Sequence, residues 1–255
     1  MVLVGEDPAS QMYVKNKEKA CQEVGMVSEV KRLPASTSQD ELIAVVKQLN
    51  QDQKIDGILV QLPVPKGIDD IKVLGEIDPN KDVDGLHPLN MGMLFKGEEA
   101  RLLPCTAQGI MRMILSTGIE IKGKEVVVVG RSNIVGKPVA LMLLARHATV
   151  TICHSRTKDL GAVVKRADIL IAAVGSPEII KGEMVKKGAI IIDVGMNKVN
   201  GKWVGDVEFD KAKERASFIS PVPGGVGPMT IAMLLRNTLK AAEGKREKRP
   251  ATRDS

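Results

Sequence analysis

Aromatic side chains are almost missing from this sequence: of 255 residues, one is Trp, one is Tyr and three are Phe. A nucleic-acid groove built on base stacking needs several exposed rings, and no recognised nucleic-acid motif is present. The net charge of +6 therefore does not by itself imply a nucleic-acid partner. Much of that excess lies in the C-terminal "GKREKRPATRDS", so residues 245–255 read as a solvated, disordered basic tail. Attraction of anionic small molecules accounts for the charge equally well. Cysteine is scarce too. Cys21, Cys105 and Cys153 are odd in number and widely spaced. They form no disulfide or metal-ligand pattern, which implies reduced thiols in a cytoplasmic setting and no metal site. No apolar run is long enough to span a membrane, and the N-terminus lacks the charged-then-apolar order of a signal peptide, so no membrane partner is expected. There is no internal repeat.

With so few rings, any core must be built from Val, Ile, Leu and Met. A composition of 44% hydrophobic and 27% charged residues is that of an ordinary globular protein, and the length suits one large α/β domain or two lobes. Strand and helix patterns alternate throughout. "VLVG" (2–5) is a strand stub and "PASQMYVKNKEKACQEVG" (8–25) a helix. "SQDELIAVVKQLNQD" (38–52) opens with Ser38 and Glu41 at capping-box spacing. "DGILVQLP" (56–63) is a continuous apolar run, as expected for a strand covered on both faces. After the Asp- and Gly-rich loop 75–88, a helix is predicted over 104–118. A second block then places strands at 124–129, 148–153, 168–173 and 189–194, with helices near 135–146, 158–166 and 181–186. Such alternation predicts parallel sheets. The expected architecture is two α/β lobes with a cleft, the second lobe a Rossmann-like doubly wound parallel sheet. Residues 1–105 form the first lobe and 106–228 the second. The apolar-striped helix 229–244 is expected to pack back on the first lobe.

The segment "VVVVGRSNIVGKPVA" (126–140) reads as a buried strand, a tight turn and the start of a helix. In a dinucleotide site this junction carries G-x-G-x-x-G. Here Gly130 holds the first position, Ser132 replaces the second glycine, Val135 stands at the third, and Gly136 arrives one residue late. Backbone N–H groups and a helix N-terminus suit a phosphate; an ordinary strand–helix junction is an equally good reading of these residues alone. The next strand tips the balance. It ends in Cys153, His154, Ser155, Arg156 and Thr157, with no acid before Asp159. A carboxylate there would grip the ribose 2′-hydroxyl of NAD, whereas a serine and an arginine suit a 2′-phosphate. Arg131 is placed to face the same corner. NADP is favoured.

Tyr13 and Lys17 lie four apart on one helix, and on spacing alone a surface pairing is the better reading. Gln61 sits at the C-terminal end of its strand, where open α/β sheets place ligand contacts. Asp82 and Asp84 in "KDVDGLHP" fit either a ligand site or a turn. "SPVPGGVGPMT" (220–230) allows close backbone approach to a planar ligand, or acts as a hinge.

Taken together, "EDPASQMYVKNKEKA", "DGILVQLPVP", "PNKDVDGLHPLNMG", "GRSNIVGKPVA" and "PVPGGVGPMTIAML" resemble the bifunctional methylenetetrahydrofolate dehydrogenase/methenyltetrahydrofolate cyclohydrolase family over nearly the whole chain. The family's nucleotide turn has the form G-x-S-x-x-V-G, matched here from Gly130 through Ile134 and Val135 to Gly136. The resemblance implies NADP-dependent oxidation of 5,10-methylenetetrahydrofolate and hydrolysis of the product to 10-formyltetrahydrofolate. It implies Lys17 as the catalytic lysine, Gln61 holding it, Tyr13 stacking near the folate and Asp84 binding the pteridine. Leu62, Pro223, Gly224 and Gly225 would line the folate pocket, while Val174 and Gly175 would join His154, Ser155 and Arg156 at the cofactor. No proton leaves in the hydride step, so a catalytic histidine is not required. His87, His147 and His154 read as loop, helix and cofactor-edge residues. The hydrolytic step needs proton handling, for which Lys17 is the candidate. A homodimer is expected from the family. Its members usually begin several tens of residues earlier, so the edge of the first sheet is expected to be exposed or completed by another chain. That departure also admits a non-catalytic folate- and nucleotide-binding homologue. A different α/β dehydrogenase is the remaining alternative.

Overall fold

The computed structural model describes residues 1–98 and 101–247. Two compact units emerge: one holds Met1–Cys105 and the chain from Ile231 onward, the other Thr106–Thr230.

In the first unit, β1 (Val2–Val4) pairs in parallel with β2 (Lys31–Leu33). Helix α1 (Pro8–Glu23) connects them. Asp7 caps it by accepting from the Ser10 amide, and Pro8 opens it where a missing N–H costs nothing. Helix α2 (Gln39–Gln51) begins with the anticipated capping box: Ser38 accepts from the Glu41 amide, and the Glu41 carboxylate accepts from the Ser38 amide. The short α3 (Asp70–Gly75) and α4 (Pro88–Lys96) follow. Val2, Val4, Leu42, Val46, Ile58, Val60 and Val73 gather into one buried cluster.

The run 56–63 differs from the continuous strand predicted for it. It makes single parallel bridges on both sides, Val60 to Val2 and Ile58 to Asp82. Val2 and the run exchange two backbone bonds, Val2 N to Leu59 O and Gln61 N to Val2 O. Ile58, Leu59 and Val60 are at most 2% exposed, as the apolar run required. The three-residue β1 is too short to sustain a ladder along it.

The second unit carries a five-stranded parallel sheet in the order β4-β3-β5-β6-β9. Its strands are β3 (Glu125–Val129), β4 (Thr149–Cys153), β5 (Ile169–Ala172), β6 (Ile190–Asp193) and β9 (Phe218–Ile219). Val126–Val129 are each no more than 2% exposed. Burying a valine gains about 1.5–3 kcal/mol over leaving it in water, which places these residues in the middle of the sheet. Helices α5 (Cys105–Ser116), α6 (Gly136–Leu144) and α7 (Leu160–Val164) stand where helices were predicted. The predicted helix near 181–186 is only a 3-10 turn, Gly182–Met184. His147, read as helical, lies beyond α6 with φ 63. An antiparallel hairpin not predicted from the sequence follows β6, formed by β7 (Asn197–Val199) and β8 (Lys202–Val204) and joined through Asn200–Gly201 with φ 47 and 79. Asn-Gly is the residue pair such a turn selects. Helix α8 (Phe209–Lys213) precedes β9.

The last helix, α9 (Val226–Glu247), begins three residues earlier than predicted. It also takes in Lys245, assigned beforehand to the disordered tail; Lys245 pairs with Asp56 at 2.9 Å. The rest of that tail, 248–255, lies outside the described residues. Among the described residues no helix is long and apolar enough to cross a membrane.

On the buried stripe of α9, with Met233, Leu234 and Ala241, sits Asn237, 1% exposed. Its amide donates to Val83 O at 2.9 Å and Leu103 O at 2.8 Å. Asn237→Ala strips partners from buried carbonyls and is expected to cost about 2–4 kcal/mol in urea denaturation. A loss below about 0.5 kcal/mol would show that these bonds do not matter.

Candidate functional site

On α1, Ser10, Val14 and Lys17 form the buried stripe, with Tyr13 half-buried beside them. Lys17 is therefore not the surface partner its spacing implied: it is 7% exposed. Its Nζ donates to Gln61 Oε1 at 3.0 Å. The Gln61 amide is oriented by its other end, which donates to Leu62 O at 2.6 Å and leaves the oxygen for the ammonium. Gln61 is itself placed by the backbone bond from its N–H to Val2 O. Burial holds the Tyr13 hydroxyl above its ordinary pKa, keeping the ring neutral.

The two aspartates of "KDVDG" have separate roles. Asp82 is fully buried and accepts from the amides of Gly85 at 3.1 Å, Leu86 at 3.2 Å and His87 at 2.8 Å, and from Asn90 Nδ2 at 2.8 Å. It ties the loop down. Burial raises its pKa, and those donors oppose the rise. Asp84 is half-buried, and its carboxylate lies against the Cys105 thiol. Gly85 makes the turn possible: at φ 74, an added Cβ would meet the Leu103 carbonyl at 2.2 Å. His87, on the same loop, caps α4 by accepting from the Leu89 amide.

Cys105 joins this cluster and was not foreseen. It is 1% exposed and donates to Val83 O, while its amide donates to Asp84 O. Burial pushes the thiol well above its usual pKa; the Asp84 charge adds to the rise and the Lys17 charge opposes it. Lys17, Gln61, Asp84 and Cys105 thus all belong to the first unit and bring a buried cation, an amide, a carboxylate and a thiol into it.

In the second unit, β3 and β4 run in register, Val129 opposite Cys153, and the Gly130 amide donates to Cys153 O at 2.9 Å. Arg131 and Ser155 each lie two residues beyond that pair. Arg131, Ser155 and Arg156 are all exposed. His154 shapes the turn: its Nδ1 accepts from the Arg156 amide, and its own amide donates to Thr157 Oγ1. On the other flank β5 adjoins β3, so the sheet reverses its strand order beside Gly130, where open α/β sheets bind ligands. Gly130 adopts φ 130, and a Cβ there would meet Ala173 O at 2.2 Å. A Cβ on Gly136 would strike Gly130 O at 2.3 Å. Both glycines are therefore required by the turn. Ser132 Oγ accepts from the amides of Val135 at 3.2 Å and Gly136 at 3.3 Å, and its proton remains to be donated. Ile134 is exposed on the same turn.

Val174 and Gly175 are exposed, but their amides are taken by the Asp206 carboxylate at 2.7 and 3.0 Å. Any cofactor contact there uses carbonyls or side-chain surface. Pro223 and Gly224 are exposed and Gly225 is buried; all three precede α9 and belong to the second unit, unlike Lys17 and Asp84. Among the described residues no group of three or more His, Cys, Asp or Glu is arranged to hold a metal ion.

Two family models match: the tetrahydrofolate dehydrogenase/cyclohydrolase catalytic domain over residues 1–84, and the NAD(P)-binding domain of the same name over residues 104–246. The bifunctional protein FolD of Moorella thermoacetica is 63% identical over 243 residues, 95% of this chain and 86% of that protein. The bifunctional methylenetetrahydrofolate dehydrogenase/cyclohydrolase FolD of Campylobacter jejuni matches in structure with a TM-score of 0.93 and 49% identity, over 96% of this chain and 87% of that one. A Trypanosoma brucei methylenetetrahydrofolate dehydrogenase-cyclohydrolase, solved with NADP and an inhibitor, gives a TM-score of 0.92 and 43% identity, over 98% and 86%.

The buried, protonated thiol leads to a direct check. At pH 8, iodoacetamide is expected to modify half-buried Cys21 in the native protein and to leave Cys105 untouched until denaturant is added. Fast native labelling of Cys105 would contradict the packing described.

Proposed function

Because this chain belongs to the tetrahydrofolate dehydrogenase/cyclohydrolase family, we infer how its own residues perform the family's two reactions. The enzyme oxidises 5,10-methylenetetrahydrofolate to 5,10-methenyltetrahydrofolate with NADP, then hydrolyses that product to 10-formyltetrahydrofolate. The observation that carries the assignment of roles is the buried Lys17–Gln61 contact of 3.0 Å.

In the first reaction the bridging N–CH2–N carbon loses hydride, and the neighbouring nitrogen lone pairs spread the resulting positive charge. NADP supplies the hydride acceptor. The chain need only hold the substrate, for which Asp84 accepts hydrogen bonds from the amino and ring N–H edge of the pterin. Tyr13 and Leu62 provide flat or apolar surface. In the second reaction water adds to the cationic carbon, a proton must leave that water, and a ring nitrogen must be protonated before the C–N bond breaks. Lys17 Nζ carries this proton traffic, and Gln61 fixes where the nitrogen sits. A positioned acid/base of this kind contributes about 10²–10⁴-fold.

Arg131, Ser155 and Arg156 hold the 2′-phosphate, with the Gly130–Gly136 turn receiving the diphosphate. The three exposed groups sit at neighbouring strand ends with no carboxylate among them, which fits an anion and disfavours a bare ribose. The thiols Cys105 and Cys153 are free and buried, in keeping with a reducing, cytoplasmic location. A homodimer completes this reading: β4 ends the sheet on one side, and Ile152 is 40% exposed along it.

Purified protein supplied with methylenetetrahydrofolate should reduce NADP about 100-fold or more faster than NAD at subsaturating cofactor, since two charge-assisted contacts are at stake. Formation of 10-formyltetrahydrofolate should follow. Equal rates with both nucleotides would remove Arg131, Ser155 and Arg156 from their role.

A further inference from the structure

Two buried carboxylates in the second unit have no part in the chemistry above. Asp206 is fully buried and Asp193 is 2% exposed. Among the described residues neither is in an ion pair, yet both are fully engaged. Asp206 accepts from three consecutive amides, Val174 at 2.7 Å, Gly175 at 3.0 Å and Ser176 at 2.9 Å, and from Asn197 Nδ2 at 3.0 Å. Asp193, at the end of β6, accepts from the amides of Gly195 at 3.0 Å, Asp206 at 2.9 Å and Val207 at 2.9 Å. One aspartate therefore fixes the backbone of the other, which in turn fixes the loop leaving β5. Only glycines let them approach: a Cβ on Gly205 would lie 1.9 Å from Asp193 Oδ2, and one on Gly195 would lie 2.1 Å from Asp206 Oδ1.

Three successive amides turned inward form a concavity that binds anions. Here the chain fills it with its own carboxylate. The loop begins at Ala173, whose carbonyl packs against Gly130 of the nucleotide turn. We propose that Asp206, held by Asp193, is a positioning residue for the cofactor: it fixes the Val174–Ser176 loop beside the turn and fills the second anion nest, so that nucleotide phosphates bind only at Gly130–Gly136. This rests on the reading of Val174 and Gly175 as cofactor contacts. A buried carboxylate without a counter-ion is costly unless several donors meet it, and here the loop amides are those donors. A carboxylate, with two acceptor oxygens, satisfies four donors at once.

The test is Asp206→Asn in the full-length enzyme, with three readouts. Hydrogen exchange of the peptide spanning 173–178 should quicken. KM for NADP should rise about tenfold or more with a smaller change in kcat. Hydrolysis of supplied methenyltetrahydrofolate, which needs no nucleotide, should stay within about twofold. Unchanged exchange at 173–178 would overturn the claim that Asp206 holds the loop. A freed loop with unchanged KM would overturn the cofactor-contact reading and the proposal with it, and parallel loss of both activities with a lowered Tm would reduce Asp206 to a structural role. Should Asp206→Asn fail to fold, Asn197→Ala removes one donor and leaves the carboxylate; exchange and KM should then move in the same directions, and no movement in either overturns the proposal. Wild-type turnover with NADP, measured alongside, separates failure of the activity from failure of the positioning role.

Discussion

A buried ammonium group held against an amide oxygen is the constraint around which the first unit is arranged. Water would solvate Lys17 far better than protein does, so the chain must supply an acceptor at a fixed place. Three pieces of structure do this. Val2 pairs with the 58–61 run and sets Gln61 at its end, the Leu62 carbonyl turns the Gln61 amide, and α1 presents Lys17 on its buried stripe. The contact of 3.0 Å is the product of all three. It leaves the Lys17 ammonium buried, 7% exposed, and held against the Gln61 oxygen.

The aspartates show a second device used repeatedly. Asp82, Asp206 and Asp193 each turn inward and accept several backbone amides. Each converts an irregular segment, which would otherwise leave buried N–H groups unpaired, into a fixed platform. Burial lifts Asp193 to about 6, with the neighbouring Asp206 charge adding to the rise and the donated amides working against it. Asp84, two residues from Asp82, is half-buried and takes none of these amides.

The alternating sheet of the second unit was legible because its strands are short apolar runs with turn residues at both ends. The nucleotide turn was legible only with the acid-free end of the next strand and the family resemblance beside it; that backbone contacts demand Gly130 and Gly136 emerges from the fold. What could not be read depends on partners distant in the chain. Tyr13 and Lys17 at helical spacing do not reveal which face is buried. β2, Lys-Arg-Leu, has no apolar alternation to betray it. The Asn200–Gly201 turn was a readable signal that was missed. So was Asn237, a polar residue on an otherwise apolar helical stripe. Asp193, Asp206 and Cys105 gave no such sign, since their meaning lies in backbone amides and neighbours brought together only by folding.

The most direct test of the central claim compares the two reactions in Lys17→Ala and Gln61→Ala, by single-turnover measurement of hydride transfer and of methenyl hydrolysis. The account predicts that hydrolysis is abolished in the first variant and falls about tenfold or more in the second, while hydride transfer suffers less in both. Full-rate hydrolysis in Lys17→Ala, or an equal fall of both steps in both variants, would contradict it.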